Sequence, residues 1–504
     1  MWRARRLSCN VLSADFLGIT LEIADKFSTQ IDRIKSKLIK VRKVDAKRQV
    51  FGAHSHDYEL GAPLTEGHIQ AFENRYDVKL PLCYVTFLCH VGNRRASSWD
   101  SAAGPFDGIY PLGHSLDEFT FGSTAHLNKV PGISAGMSDK SWSKLAHVIN
   151  SENDISDAEY ESARQRIYGG ILPIGSQGCQ SFHGLLLSGP DKGRVVNIDI
   201  EGYKPRFAYE DNFLDWYERW LDEISSGTLP SNSSYWFGYV MGGGDVELFE
   251  RYPDAAGVTA KLDVLCGFTK LKQISIVSCH KLLEICDDEA TKLRHFAVGL
   301  LTKFDHDMAI PKLLELTEQD DEACRVACES IWHAKGNAAR WVPLLQKRLK
   351  TVQNPETFRF ITYIFIDAMA DYSADLKPFG ESKNEDIRAT VFHSLGKLAN
   401  KVDLIDTFML GLEDTSARVV HTTLQALDGV RDRRLFPSYY HIIKRFTVDE
   451  NYIHINLEHR LREYGFSDMW HFMHAYEAGD GRGELNWRDR AITSLNRMLM
   501  GHFR

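Results

Sequence analysis

The sequence predicts an α+β domain followed by an all-α solenoid. Between Ile171 and Ile200, short β-branched runs alternate with turn residues, the pattern of a sheet assembled from hairpins. Just beyond them, Phe213, Trp216, Tyr217, Trp220, Leu221 and Ile224 share one helix face, and a face that broad must cover the sheet. From about Asp288 onward helix follows helix, with arginine at Arg294, Arg325, Arg359, Arg388 and Arg418, a period in the range of helical repeats.

A chain of 504 residues, 43% hydrophobic, exceeds one ordinary core and predicts two or three domains. No apolar run approaches the roughly 18 to 20 residues that span a bilayer. The start lacks the apolar block of a secretory signal, so cytoplasmic residence is expected. Asp15 weighs against reading the arginine-bearing opening as a transit peptide. Nine cysteines without a CxxC pair indicate neither a zinc ribbon nor a disulfide framework, and no metal or cofactor is expected. The net charge of −8 is uneven: about +7 over 1–50, about −10 over 51–230 and about −5 beyond. An acidic folded region disfavours nucleic acid as a direct partner and favours a basic protein.

Taken in order, residues 1–50 hold an amphipathic helix: Ile23, Phe27, Ile31, Ile34, Leu38 and Val41 form its stripe and lysines and arginines its back. The basic back reads as a solvated face packed on the rest of the protein, ahead of lipid or RNA binding. Residues 51–230 form the α+β domain. Thr65 caps a helix bearing Ile69, Phe72 and Tyr76, and Pro81 opens another that Gly92 closes. Ile109–Leu112 reads as a short strand, followed by a polar, irregular insertion to about Arg166. Strands follow at 171–174, 184–187 and 194–200. Between the last two, Gly189 and Gly193 flank a lysine, yet no helix and no Lys-Ser/Thr pair follow, so the stretch is a hairpin turn rather than a phosphate loop. Asn212 caps the covering helix. Ser225–Ser234 is a linker, with Tyr235-Trp236-Phe237 docking back onto a flanking domain. Residues 231–287 connect, 288–450 carry the repeats and 451–504 cap them.

The repeat words "DDEACRVACESIW", "NPETFRFITYIFI", "NEDIRATVFHSLGKL" and "EDTSARVVHTTLQAL" each set an acidic turn before the arginine and an apolar stripe after it. No such unit buries its face alone, so the units must stack. They resemble HEAT repeats over about 288–444. That resemblance implies that acid and arginine link successive repeats, with a phosphate-binding row as the alternative.

Several pairings invite chemistry. Cys179 and His183, four apart, suggest nucleophile and base, but no orienting Asn or Asp is identifiable, and a packed cysteine with a surface histidine is the simpler reading. His54 and His56 read as a polar lead-in to a strand, and Cys324 and Cys328 as neighbours on one helix face. Gly242-Gly243-Gly244-Asp245 is a flexible bend before it is a cradle. Asp199 and Glu201 alternate with Val196, Ile198 and Ile200, which puts the acids on the strand face away from the core, exposed. No catalytic residue is assigned.

In order, "PLTEGHIQAFENRYDVKLPLCYVTFLCHVGN", "GPFDGIYPL", "GGILPIGSQGCQSFHGLLLSGPDKGRVVNID" and "FLDWYERWLDEI" resemble the SUKH superfamily, Smi/Knr type, over about 58–224. Arg94–Asp100 departs from the family's glycine-rich stretch. The resemblance implies a curved sheet flanked by helices and a non-enzymatic binding role. Its bacterial members look like immunity proteins that block cognate toxins, often ones acting on nucleic acid, and its fungal members act through protein contacts. The expected function is therefore a cytoplasmic immunity protein that occludes a basic toxin's active site. Asp107, Asp199, Glu201 and Asp211 would pair with cations, and Trp99 and Tyr110 would anchor the contact. The alternative is a regulatory scaffold whose solenoid holds a host protein.

Overall fold

The computed structural model describes residues 12–93, 101–120, 122–151, 155–230, 236–335, 337–369, 371–447 and 451–479, with the side chains of the first helix from residue 26 on. Contacts divide the chain into Met1–Ser278 and Cys279–Arg504.

The first unit opens with α1 (Leu12–Val44). Ile31, Ile34, Leu38 and Val41 are buried in the same core as the sheet's helices, with Phe27 packed against it, so the predicted stripe docks from Phe27 on. The short α2 (Ala53–His56), α3 (Glu66–Tyr76) and α4 (Leu82–His90) follow. At the start of α3 the Thr65 hydroxyl meets His68 Nδ1 at 2.8 Å, and Pro81 stands at the N-cap of α4. Next come α5 (Asp139–Leu145) and α6 (Asp157–Ile167). The sheet consists of β1 (Ile171–Gly178), β2 (Ser181–Leu186), β3 (Val195–Asp199) and β4 (Arg206–Phe207). It is an antiparallel meander in the order β1-β2-β3-β4, with two register shifts along β1 that bend that strand.

The β2–β3 connection is the predicted turn. Gly193 N–H donates to the Leu186 carbonyl at 2.8 Å, and Gly189 and Gly193 hold φ of 79° and 90°, where only glycine sits without strain. The expected strand at Ile109–Leu112 is reduced to an isolated bridge between Ala102 and Ile109 and one bond from Tyr110 N–H to Ile174 O at 2.8 Å. Pro111 has no N–H with which to extend the ladder.

The sheet is buried on both faces, which overturns the expectation of an irregular insertion and of a β3 face left to solvent. On one face Leu172, Ile174, Leu185 and Val195 pack with Phe213, Trp216 and Trp220 of α7 (Phe213–Ser225), capped by Asn212 Oδ1 accepting from Leu214 and Asp215 N–H. On the other, Ile171, Phe182, Val196 and Ile198 pack with Phe119, Trp142, Ile167 and Tyr168. The supposedly irregular insertion thus supplies a second layer, α5 and α6. Buried Arg164 ties that layer down, donating from Nε to Phe119 O at 2.7 Å and from Nη1 to Ile200 O at 3.2 Å.

The unit ends with α8 (Asp245–Arg251) and α9 (Gly257–Phe268), and α10 (Ile276–Ile285) carries the division. The second unit continues with α11 (Thr291–Phe304), α12 (His306–Glu318), α13 (Asp321–His333), α14 (Ala338–Leu349), α15 (Pro355–Ala368), α16 (Ser373–Leu376), α17 (Glu385–Leu395), α18 (Ile405–Leu412), α19 (Ala417–Ala426), α20 (Phe436–Arg445), α21 (Asn451–Glu463) and α22 (Met469–Glu477). Within this unit α11, α13, α15, α17, α19 and α21 pack side by side as one layer, with the intervening helices behind it. This is the stacked, solenoid-like arrangement expected of the repeats.

The arginine ladder holds for part of the series. Arg388 donates through Nε and Nη2 to Asp414 at 2.6 and 2.9 Å, and Arg418 pairs with Asp386, each linking α17 and α19 or the turn between them. Arg294, Arg325 and Arg359 instead bind groups in their own helix or just before it.

Candidate partner-binding face

Asp45 organises the entry to this face. Its buried carboxylate accepts from Gln49 and Val50 N–H at 2.7 and 3.1 Å and from the Tyr58 hydroxyl at 2.6 Å, which fixes the loop presenting Phe51. Gly52 follows at φ 79°, and a Cβ there would lie 2.1 Å from the Phe106 carbonyl oxygen. Only glycine allows these two loops to meet.

From the opposite loop, Phe106 adopts φ 54°, a left-handed conformation that costs a bulky residue about 1–3 kcal/mol and persists only where the surroundings enforce it. Its ring is gripped by Phe51 at 6.0 Å, Trp236 at 5.3 Å and His183 at 5.4 Å. Phe106 is buried, whereas Phe51 is 61% and Trp236 49% exposed. Two large aromatics therefore stand in solvent on a rigid third, in the company of Asp107, whose Oδ1 accepts from Ser55 Oγ at 3.1 Å.

Polar groups support the cluster from below. Tyr239 contacts Trp236 at 6.5 Å and donates from its hydroxyl to Gln177 Oε1 at 2.9 Å, and Gln177 Nε2 donates to Asn197 Oδ1 at 2.9 Å. His183 Nδ1 lies 3.0 Å from the same Asn197 oxygen, and burial pushes its pKa down to about 3, so the ring is neutral. Burial also raises the Tyr239 hydroxyl, with Asp199 adding to the effect. A face thus runs from Asp107 across Phe51 and Trp236 to Tyr239 and Asp199.

The residues expected to form the site fare unequally. Asp107 adjoins the aromatics. Tyr110 is half-buried against His114 at 5.3 Å, and burial pushes its hydroxyl up to about 12. Asp199 is half-buried and accepts from Ser181 Oγ at 3.3 Å and Glu201 N–H at 2.8 Å, which corrects its expected exposure. Glu201 is exposed in the turn beyond β3, and Asp211 is exposed just before the Asn212 cap. Trp99 lies outside the described residues. Phe51 and Trp236 were not singled out as anchors; the docking expected of Tyr235–Phe237 was the one signal pointing to the second.

Other candidates are reassigned. Cys179 is exposed and His183 buried, the reverse of the expected packed cysteine and surface histidine, because Cys179 sits at φ 50° in the β1–β2 turn. His56 lies in a helix rather than before a strand, buried, with Nδ1 accepting from Tyr58 N–H at 2.9 Å, and burial lowers it to about 4. The Gly242–Asp245 bend is filled by its own chain: Gly244 N–H donates to Glu247 Oε2 at 3.0 Å, and a Cβ on Gly242 would lie 2.5 Å from Arg219 Nε. Among the described residues no group of three or more His, Cys, Asp or Glu is placed to hold a metal, and no helix is long and apolar enough to cross a membrane.

A four-stranded meander held between helical layers, with an aromatic cluster packed on His183 of β2, defines an α+β module joined to a helical repeat unit. Residues 63–219 match the SMI1 / KNR4 family (SUKH-1), and the chain carries a domain of that family. No curated protein and no solved structure matches the chain.

Proposed function

We propose that this chain is a non-catalytic immunity protein that binds a cognate toxin, one acting on nucleic acid, and occludes its active site. The observation that carries the reading is the pair Phe51 and Trp236, exposed over the strained Phe106 and flanked by Asp107. Large aromatics on a rigid base are the anchors from which protein interfaces draw most of their energy, and neighbouring acids select a partner whose cations otherwise grip phosphate. A SUKH-1 domain, in a family that includes immunity proteins, supports the same reading. In this role the aromatics seat in the toxin's surface, Asp107 and Asp199 pair with its lysines and arginines, and the bulk of the domain excludes substrate.

The test is co-expression with a toxin encoded beside this gene. Cells carrying the wild-type chain survive induction of the toxin, and the two proteins co-purify; death at the same rate with and without the chain refutes the proposal. The stacked helices of the second unit favour a scaffold as the second reading, under which a host protein co-purifies from cells that lack any such toxin.

A further inference from the structure

The arginines of the repeat series differ in how many of their N–H groups are spent. Arg325 engages Glu322 through Nε and Nη2 and Glu329 through Nη1. Arg388 engages Asp414 through two nitrogens and the Ser382 carbonyl through the third. Arg359 and Arg418 differ: among the described residues Arg359 uses only Nη2, toward Glu356, and Arg418 only Nη1, toward Asp386. These two line opposite walls, on α15 and α19, of a cleft of about 190 Å³ whose floor is α17 with Thr390 and His393. Tyr363 completes the α15 wall.

We propose that this cleft binds a single phosphorylated side chain of a partner polypeptide. Two arginines on separate helices line the one cleft, and a guanidinium group can give a phosphate paired charge-assisted bonds. Arg359 Nε is buried with no acceptor among the described residues, an unmet donor that an incoming anion would satisfy. The His393 ring and the Tyr363 hydroxyl supply further donors. The hydroxyl of Thr390 is already spent on the Asp386 carbonyl at 2.8 Å, so that residue offers its methyl as floor.

The surroundings choose among anions. Glu356 and Asp386 flank the cleft, and Glu322 and Glu329 lie on the neighbouring α13. A nucleic-acid strand needs positive charge along several successive phosphates and would meet carboxylates at each step, whereas one isolated phosphate competes only with Glu356 and Asp386 for the two guanidinium groups. A polypeptide carrier fits because the layer continues past the cleft: Trp332 of α13, half-buried, packs against Tyr363 with ring centroids 5.2 Å apart and extends the surface on which a chain can lie.

The experiment is calorimetric titration of the full chain with a degenerate peptide pool carrying one fixed phosphoserine, with the unphosphorylated pool, with inorganic phosphate and with single-stranded DNA. The phosphorylated pool binds most tightly, and R359Q and R418Q each weaken it about tenfold or more, while R325Q, outside the cleft, leaves it unchanged. Circular dichroism melts confirm that each variant is folded; Arg418 is 62% exposed, so R418Q reports even if R359Q does not fold. Equal affinity for both peptide pools, equal affinity of wild type and R418Q, or preferred binding of inorganic phosphate or DNA overturns the proposal.

Discussion

Replacing Glu218 by glutamine should destabilise the first unit in a way that depends on pH. The Glu218 carboxylate, 11% exposed, accepts from Arg33 Nε and Nη2 at 2.7 and 2.9 Å, from Lys37 at 2.8 Å and from Gln30 at 3.1 Å, and so fastens α1 to α7. Burial alone would raise its pKa, but the bonds from Arg33 and Lys37 win and bring it from 4.5 down to about 2. A depression of that size corresponds to at most ~3 kcal/mol. Arg33 is half exposed, and solvent screening reduces the expected loss on E218Q to ~1–2 kcal/mol at pH 7.

Because the folded pKa lies below the unfolded one, this stabilisation is fully present above about pH 4.5 and is lost as pH falls toward 2. At pH 3 it should be roughly 40% of its neutral value. Urea denaturation of wild type and E218Q at pH 7, 4 and 3, followed by tryptophan fluorescence, measures the difference. A gap that is absent at pH 7, or that is undiminished at pH 3, refutes the ion-pair account of the α1–α7 contact.

Gly52→Ala should lower Tm and blunt the exposed aromatic cluster, since its Cβ would meet the Phe106 carbonyl at 2.1 Å; an unchanged melt contradicts the loop contact. Arg388→Ala leaves the Asp414 carboxylate, 8% exposed, without its ion-pair partner and with the Ser416 N–H as its remaining hydrogen bond, and should cost about 3 kcal/mol in the helical unit, read by thermal denaturation, whereas a loss below 1 kcal/mol would mean the ladder carries no weight. Cys179 is the exposed thiol among the described cysteines, so C179A should remove one fast-reacting equivalent in a thiol-disulfide exchange assay, and an unchanged fast phase would place that thiol inside.

Much of this architecture was legible locally. Gly189 and Gly193 marked the hairpin, Asn212 and the aromatic stripe behind it marked α7, and the recurring acid–arginine words marked the stacked helices, because each is a short-range requirement of backbone or packing. The second covering layer was not legible: α5 and α6 are mostly polar, and a few side chains such as Trp142 and Ile167 do the covering. Nor was the candidate face. Phe51, Phe106 and Trp236 are far apart in sequence, and Phe106 takes a left-handed backbone that nothing in "GPFDG" demands of phenylalanine. Cys179 and His183 were reversed because spacing alone does not tell which end of a four-residue step occupies the turn.

The most direct measurement of the central claim is whether purified chain inhibits the isolated catalytic domain of the toxin proposed as its partner. Wild type should inhibit stoichiometrically, and W236A should require ~30-fold or more higher concentration for the same effect, the loss typical of an anchor side chain. Turnover of the toxin undiminished by wild type, or equal inhibition by W236A and wild type, would contradict it.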